Sequence, residues 1–374
     1  MSTKPESESD GVKVGFDAQI FRLLANGGIS RYFTQLISGL NQYTKSEAIP
    51  LFRFHGSELL GGQDLQRLHW AMFWGLRKLG YDPAARPVNF DAKKYDFNIY
   101  HATYYQAPPP KQGRLKYPLV STVYDMTPEE LPEHFGLRKP HAHKKAWLEA
   151  SRAIVCVSTA SADAVGNYWP HLARRLHVIH LSTQFWGQTG KPPKEKAEQP
   201  FFLYIGRRES YKQVKLIWSL LSRVPGSELV MVGGGPLRRH ERTYLFKLGI
   251  EHRVKTIKAD DSTLVWLYQH CAATVIPSLS EGFSLPLIES LACNAPILAS
   301  DLPVHREVGG GYATLLSPHS PNHWHDALVA ALEGQIPKPS QKLTPKDLED
   351  LRNHFSIARM ARDHASFYGT INRR

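Results

Sequence analysis

"SLSEGFSLPLIESLACNAP", residues 278–296, decides how this 374-residue chain is read. An apolar strand, "ATVIPS" (273–278), runs into a turn holding Glu281 and Gly282, and Pro286 then opens a helix. Proline suits that position because its missing N–H would be unpaired there anyway. Leu287, Ile288, Leu291, Ala292 and Ala295 form the helix's buried face. Burying a carboxylate is costly, so Glu281 and Glu289 either face water or hold something. Facing water, Glu289 is simply an acid near a helix N-terminus, where the dipole favours it. Facing inward, both carboxylates reach one ligand and accept paired hydrogen bonds from vicinal hydroxyls of a sugar or ribose. Backbone N–H groups of Gly282, Phe283, Ser284 and Leu285 would suit an anion or hydroxyls beside them.

Working outward, the stretch closes a series in which strand alternates with helix. "FFLYIGRR" (201–208), "ELVMVGGG" (228–235), "RVKTIK" (253–258), "ATVIPS" and "APILAS" (295–300) are strands with helical segments between them. An earlier series holds "VKVGFDA" (12–18), the amphipathic "RYFTQLISGLNQY", "FNIYHA" (97–102), "PLVSTVYD" (118–125), "AIVCVS" (153–158) and "RLHVIHL" (175–181). Strands that are apolar throughout and alternate with helices predict parallel sheets covered on both faces. The two series are separated by "GQTGKPPKEKAEQP" (187–200), whose Pro, Gly and Lys lack an apolar period and read as a linker. The expectation is α/β: two Rossmann-like parallel-sheet domains facing a central cleft. Residues 1–11 are a disordered tail, 12–186 the first domain, 201–355 the second, and 356–374 a basic C-terminal helix.

Composition narrows the classes. Three scattered cysteines give neither a zinc site nor a disulfide framework, and no 18-residue apolar run marks a membrane span or signal peptide. A cytoplasmic protein is expected. The net charge is +12, with 22 Lys and Arg against 16 Asp and Glu in residues 1–190 and 24 against 18 in the rest. Basicity spread over both halves suits anionic small molecules or an acidic membrane surface, with no basic tail for nucleic acid. The helical stretches 67–81 and 137–152 mix Trp or Leu with Lys and Arg, as either core-facing helices or helices lying on an anionic membrane would.

The quoted stretch resembles the signature of family 4 glycosyltransferases, the retaining enzymes of GT-B fold, in which seven residues separate two glutamates. "GGISRYFTQL", "STVYDMTPEELPEHF", "VCVSTAS", "VIHLS", "FLYIGRRESYK" and "LVMVGGGPLR" match family landmarks in the expected order. The resemblance implies transfer of a sugar from a nucleotide diphosphate sugar to a saccharide or lipid-linked saccharide, with retention at the anomeric carbon. Glu281 would bind hydroxyls of the donor sugar and Glu289 the ribose, while the backbone of Gly282–Leu285 would grip the diphosphate. Arg207 and Lys212, otherwise ordinary surface cations, would neutralise that diphosphate, a task that makes a metal or other cofactor unnecessary.

Other features carry less. In "GGGP" (233–236) the third glycine of a dinucleotide fingerprint is missing; Gly234, like Gly206, lets backbone approach a nucleotide or merely makes a tight turn. Gly27 and Gly28 precede a helix whose N-terminus meets the diphosphate or is a structural turn. Where the family carries His-Asp, this chain has Tyr124-Asp125; Tyr124 would donate a hydrogen bond, and Asp125 would orient the acceptor or cap the next segment. His101 and Tyr104 contact the acceptor or pack in an aromatic cluster. "GGISRY" and "TVYDMTPEELPEHF" look most like bacterial polysaccharide and O-antigen mannosyltransferases, which points to GDP-mannose and to the cytoplasmic face of the inner membrane. A GT-B sugar-nucleotide epimerase and a non-catalytic sugar-nucleotide binder are the rival readings.

Overall fold

The computed structural model describes residues 11–23, 27–51, 96–110, 116–137, 140–195 and 197–373. The expected tail up to residue 10, the stretch 67–81 and residues 138–139 of the stretch 137–152 lie outside them. The chain forms two compact units. One comprises Met1–Tyr124, Leu137–Ser182 and Ser356–Arg374; the other comprises Asp125–Gly136 and Thr183–Phe355.

The first unit is built on six parallel strands: β1 (Lys13–Phe16), β2 (Glu47–Pro50), β3 (Ile99–Ala102), β4 (Leu119–Val123), β5 (Ala153–Cys156) and β6 (Leu176–Val178), in the order β2-β1-β3-β4-β5-β6. Every residue of β3, β4 and β5 is buried, as strands covered on both faces must be. Helix α1 (Gly28–Tyr43) buries Tyr32, Phe33, Leu36, Ile37 and Leu40. The C-terminal helix α10 (Ile357–Asn372), capped by the Ser356 hydroxyl, packs against α1. A buried bond of 2.8 Å between Tyr32 Oη and His364 Nε2 joins them.

The second unit repeats the plan with β7 (Phe201–Ile205), β8 (Glu228–Val232), β9 (Val254–Ile257), β10 (Ala273–Ile276), β11 (Ile297–Ser300) and β12 (Thr314–Leu316), in the order β12-β11-β10-β7-β8-β9, all parallel. Its helices include α4 (Val214–Leu221), α5 (Arg239–Lys247), α6 (Asp261–His270), α7 (Leu285–Ala292), α8 (Pro303–Gly309) and α9 (Pro321–Leu332); α2 (Thr127–Glu130) and α3 (Thr159–Tyr168) come earlier in the chain. Trp218 from α4 and Trp324 from α9 are fully buried against Phe202, Leu229 and Leu298.

The α/β expectation holds, with three differences. The edge strands β2 and β12 were not foreseen: both are short and only partly buried, so neither carries an apolar run. The start of the expected linker is docked: Gly190 N donates to Gln269 Oε1 (3.3 Å) and Lys191 N to Ser262 O (3.1 Å). A Cβ at Gly190 would stand 2.1 Å from Trp266 N, so glycine there permits contact with α6 rather than freedom. Finally, Asp125–Gly136 belongs to the second unit, because its side chains bond there, as described next.

Candidate functional site

In open parallel sheets, ligands bind beyond the carboxyl ends of the strands, where the strand order reverses. In the second unit that point lies between β7 and β10, which run into the loops Gly206–Gln213 and Pro277–Ser284. Leu279 N donates to Tyr211 O (2.8 Å), tying the loops together. Lys212 Nζ donates to Glu281 Oε1 in an ion pair whose side chains are 23% and 13% exposed, and Ser278 Oγ donates to the same oxygen at 2.7 Å. One cation and one carboxylate, distant in sequence, thus meet at the switch point with two ammonium N–H donors of Lys212 left over. Arg207 is exposed and makes no ion pair among the described residues; its carbonyl is held by Tyr204 Oη at 2.7 Å. Burial raises the Tyr204 and Tyr211 phenols and Glu281 pushes them further, so both remain neutral.

The backbone here is strained. Gln213 (φ 47°) and Ser284 (φ 73°), one on each loop, are two of the four non-glycine residues with positive φ among the described residues. Such conformations cost about 1–3 kcal/mol and cluster at functional sites. Ser284 is the N-cap of α7, Phe283 is buried with its ring 6.2 Å from that of Phe355, Gly282 is buried and Leu285 is half-buried. Glu289 is 4% exposed and its Oε2 accepts from Tyr268 Oη at 2.7 Å, so the reading in which it faces water fails.

The segment Asp125–Gly136 supplies a roof to these loops. Asp125 Oδ1 accepts from Thr127 N (3.1 Å), which caps the following turn of α2. Thr127 Oγ1 lies 2.9 Å from Ser280 Oγ, whose own proton goes to Glu130 Oε2 (2.8 Å), and His134 Nδ1 lies 2.9 Å from Ser210 Oγ.

Arg208 escaped the sequence reading. Its guanidinium, 4% exposed, pairs with Glu241 (Nε to Oε1 2.9 Å) and donates to the carbonyls of Gly233, Gly234, Gly235 and Pro236. The exposed Gly234 (φ 69°) and half-buried Gly206 (φ 139°) adjoin it: a Cβ at Gly234 would stand 2.8 Å from Arg208 Nη1. The glycine loop is therefore shaped around an arginine.

At the corresponding reversal of the first unit, between β1 and β3, the polar groups bond to one another. Asp17, 3% exposed, accepts from Gln19 N (3.0 Å), Gln19 Nε2 (2.8 Å), Tyr100 Oη (2.6 Å), Thr103 N (3.2 Å) and the Thr103 hydroxyl. His101 does not reach out to an acceptor: it is wholly buried, bonded to Tyr368 Oη (2.6 Å) and Thr122 Oγ1 (2.8 Å). Tyr124 Oη donates to Thr103 O at 2.7 Å inside a cluster with Tyr32, Phe33, Tyr104 and Tyr105. Gly27, the half-buried N-cap of α1, is extended (φ −166°) and exchanges bonds with Ser30 Oγ, while Gly28 is exposed. The three cysteines are free and buried, with thiols pushed up to about 12 by desolvation, which leaves no thiolate for chemistry.

Residues 188–347 match the family model "Glycosyl transferases group 1". The O-antigen chain mannosyltransferase RfbU of Salmonella typhimurium is 24% identical over 216 residues, 55% of this chain and 59% of that one. A D-inositol 3-phosphate glycosyltransferase of Mycobacterium avium is 29% identical over 207 residues, 50% and 48% of the two chains. The chain thus spans about half to three fifths of these curated relatives. Among solved structures, sucrose-phosphate synthase from Thermosynechococcus elongatus superposes with a TM-score of 0.69 at 16% identity, covering 96% of this chain and 99% of that one. Anabaena HepE in complex with UDP and glucose gives 0.65 at 14%, covering 96% and 100%. The fold is that of the GT-B glycosyltransferases, and over residues 188–347 the chain matches the group 1 glycosyl transferases, the family its sequence resembles.

Proposed function

We propose that the chain is a retaining, metal-independent glycosyltransferase that moves mannose from GDP-mannose to a hydroxyl of a saccharide or lipid-linked saccharide, in building a bacterial surface polysaccharide. The observation that carries this reading is the Lys212–Glu281 pair at the strand-order reversal of the second unit, with exposed Arg207 on the same loop as Lys212. In the reaction the bond between the anomeric carbon and the diphosphate oxygen breaks, and a bond to the acceptor oxygen forms on the same face. The acceptor's proton passes to the departing phosphate. Arg207 and Lys212 hold the negative charge that grows on that phosphate, a fixed electrostatic contribution of several kcal/mol. Glu281 takes sugar hydroxyls, Glu289 the ribose, and the backbone of Gly282–Leu285 the diphosphate.

The likeness to RfbU supports mannose; HepE, solved with UDP and glucose, makes a uridine donor the competitor. No helix among the described residues is long and apolar enough to cross a membrane. Contact with a lipid-linked acceptor would be peripheral, at the cytoplasmic face of the inner membrane. The test is a thermal-shift screen in EDTA against GDP, UDP, ADP, dTDP and their common sugars, followed by NMR assignment of the product's anomeric configuration. Ligand at a hundredfold its Kd adds about 2.7 kcal/mol. A shift with GDP and GDP-mannose alone, lost in Arg207→Ala and Glu289→Ala, supports the reading. A shift with UDP alone moves the donor, and an inverted product or no shift with any diphosphate overturns it.

A further inference from the structure

Beside β10 the chain leaves the end of β11 through Ser300 and enters α8, whose first turn holds His305. His305 is wholly buried, and its Nδ1 lies 2.7 Å from the carbonyl oxygen of Ser300. A carbonyl only accepts, so the proton sits on Nδ1 and the opposite nitrogen, Nε2, presents a lone pair. Burial lowers the ring's pKa and keeps it neutral; Glu281 and Asp301 oppose that shift and Lys212 reinforces it. The ring therefore lies within the field of the Lys212–Glu281 pair. Its Nε2 makes no hydrogen bond among the described residues, and neither do the hydroxyls of Ser300 and Ser284, which are 0% and 5% exposed. Helices α7 and α8 pack on each other, bringing the turns that carry Ser284 and His305 to one side of the sheet. Buried polar groups without partners cost stability, and here they lie at the end of β11 and on the segments that follow β10 and β11, neighbours in the sheet.

We propose that His305 Nε2, with the Ser300 and Ser284 hydroxyls, forms a subsite that binds hydroxyls of the transferred sugar in a nucleoside diphosphate hexose. The subsite rests on the reading of the second unit as the donor site, and adds to it residues outside the two-glutamate stretch. His305 Nε2 accepts a hydrogen bond from a hydroxyl that Glu281 does not hold, and the serines complete the pattern. A sugar lacking that hydroxyl leaves buried groups unpaired, which is how such sites discriminate most strongly. The subsite is therefore specificity-determining, and the nucleoside diphosphate alone does not engage it.

The test is calorimetric titration of the full chain with GDP and GDP-mannose in EDTA, together with unfolding temperatures. His305→Phe is expected to weaken GDP-mannose tenfold or more while leaving GDP within twofold. His305→Gln, whose side-chain oxygen can stand in for the Nε2 acceptor, should recover part of the loss. Ser300→Ala should weaken GDP-mannose several-fold without lowering the unfolding temperature, because its hydroxyl has no structural partner to lose. Equal weakening of GDP and GDP-mannose, or a lower unfolding temperature in Ser300→Ala, overturns the subsite. If the wild type takes UDP and UDP-glucose instead, that pair replaces the guanine pair in the same comparison. A wild type that binds no nucleoside diphosphate refutes the donor-site reading before any variant is made, and the subsite with it.

Discussion

The two units share a parallel-sheet plan but finish their strand ends in opposite ways. In the first, at the reversal between β1 and β3, Asp17, Tyr100, Thr103 and Tyr124 spend polar atoms on one another, and His101 spends its two ring nitrogens on Tyr368 and Thr122. In the second, the reversal between β7 and β10 keeps an exposed arginine, spare donors on Lys212 and two strained residues, and the end of β11 and the segments that follow β10 and β11 hold three buried polar atoms that make no hydrogen bond among the described residues. Satisfied groups stabilise the free protein, whereas unsatisfied ones are a cost that a ligand can remove. The same topological position serves stability in one unit and, on the function proposed above, recognition in the other.

Substitutions at the two reversals should therefore fail differently. The largest effect is expected from Asp17→Ala, which strands two backbone N–H groups and several side-chain donors; urea unfolding should show a loss of about 4 kcal/mol. An unchanged unfolding midpoint would break the contrast from the first unit's side. Lys212→Ala should instead leave the unfolding midpoint nearly in place and lower kcat by about a hundred- to a thousandfold, the usual effect of removing one electrostatic donor to a leaving group. Loss of stability without loss of turnover would reverse its assignment.

Acid should act on the first unit. His364 is buried, bonded to Tyr32 and the Met360 carbonyl, and its pKa is lowered to about 4, chiefly by desolvation. In the unfolded chain it titrates near 6.5, so as pH falls the unfolded state takes up its proton first. The stability present above about 6.5 is then lost toward pH 4 and the curve levels below, by about 3 kcal/mol in all. His364→Gln should flatten that part of the stability curve, and a curve unchanged by the substitution would remove the histidine from the account. The smallest effect is expected from Tyr268→Phe, which takes one hydrogen bond from Glu289: about 1 kcal/mol of stability and a change of a few-fold in nucleoside diphosphate affinity.

Much of this was legible in the chain. Both alternating series, the apolar strands, the loops that bear Arg207, Lys212 and Glu281 and the helix that bears Glu289 follow from periodicity and from proline and glycine placement, which depend on near neighbours. β2 and β12 were not legible, because an edge strand of three or four residues, half exposed, has too little pattern to stand out from a loop. Which of its two readings His101 follows was not legible, because a histidine at a strand end looks alike whether its partners come from solvent or, as here, from β4 and the C-terminal helix.

Sequence alone determined the fold class and the stretch where the two glutamates sit, since turn chemistry and hydrophobic period are local properties. Only the tertiary structure decided which polar groups are spent and which are held in reserve. Arg208 and Lys212 share one loop, yet one is locked into the glycine turn by Glu241 and the other meets a carboxylate from the loop after β10. His305 stands in a helix like any other, and only the packing around β11 and α8 leaves its Nε2 with no hydrogen bond among the described residues. Those outcomes depend on strand order, which brings together residues far apart in the chain and which no local pattern encodes.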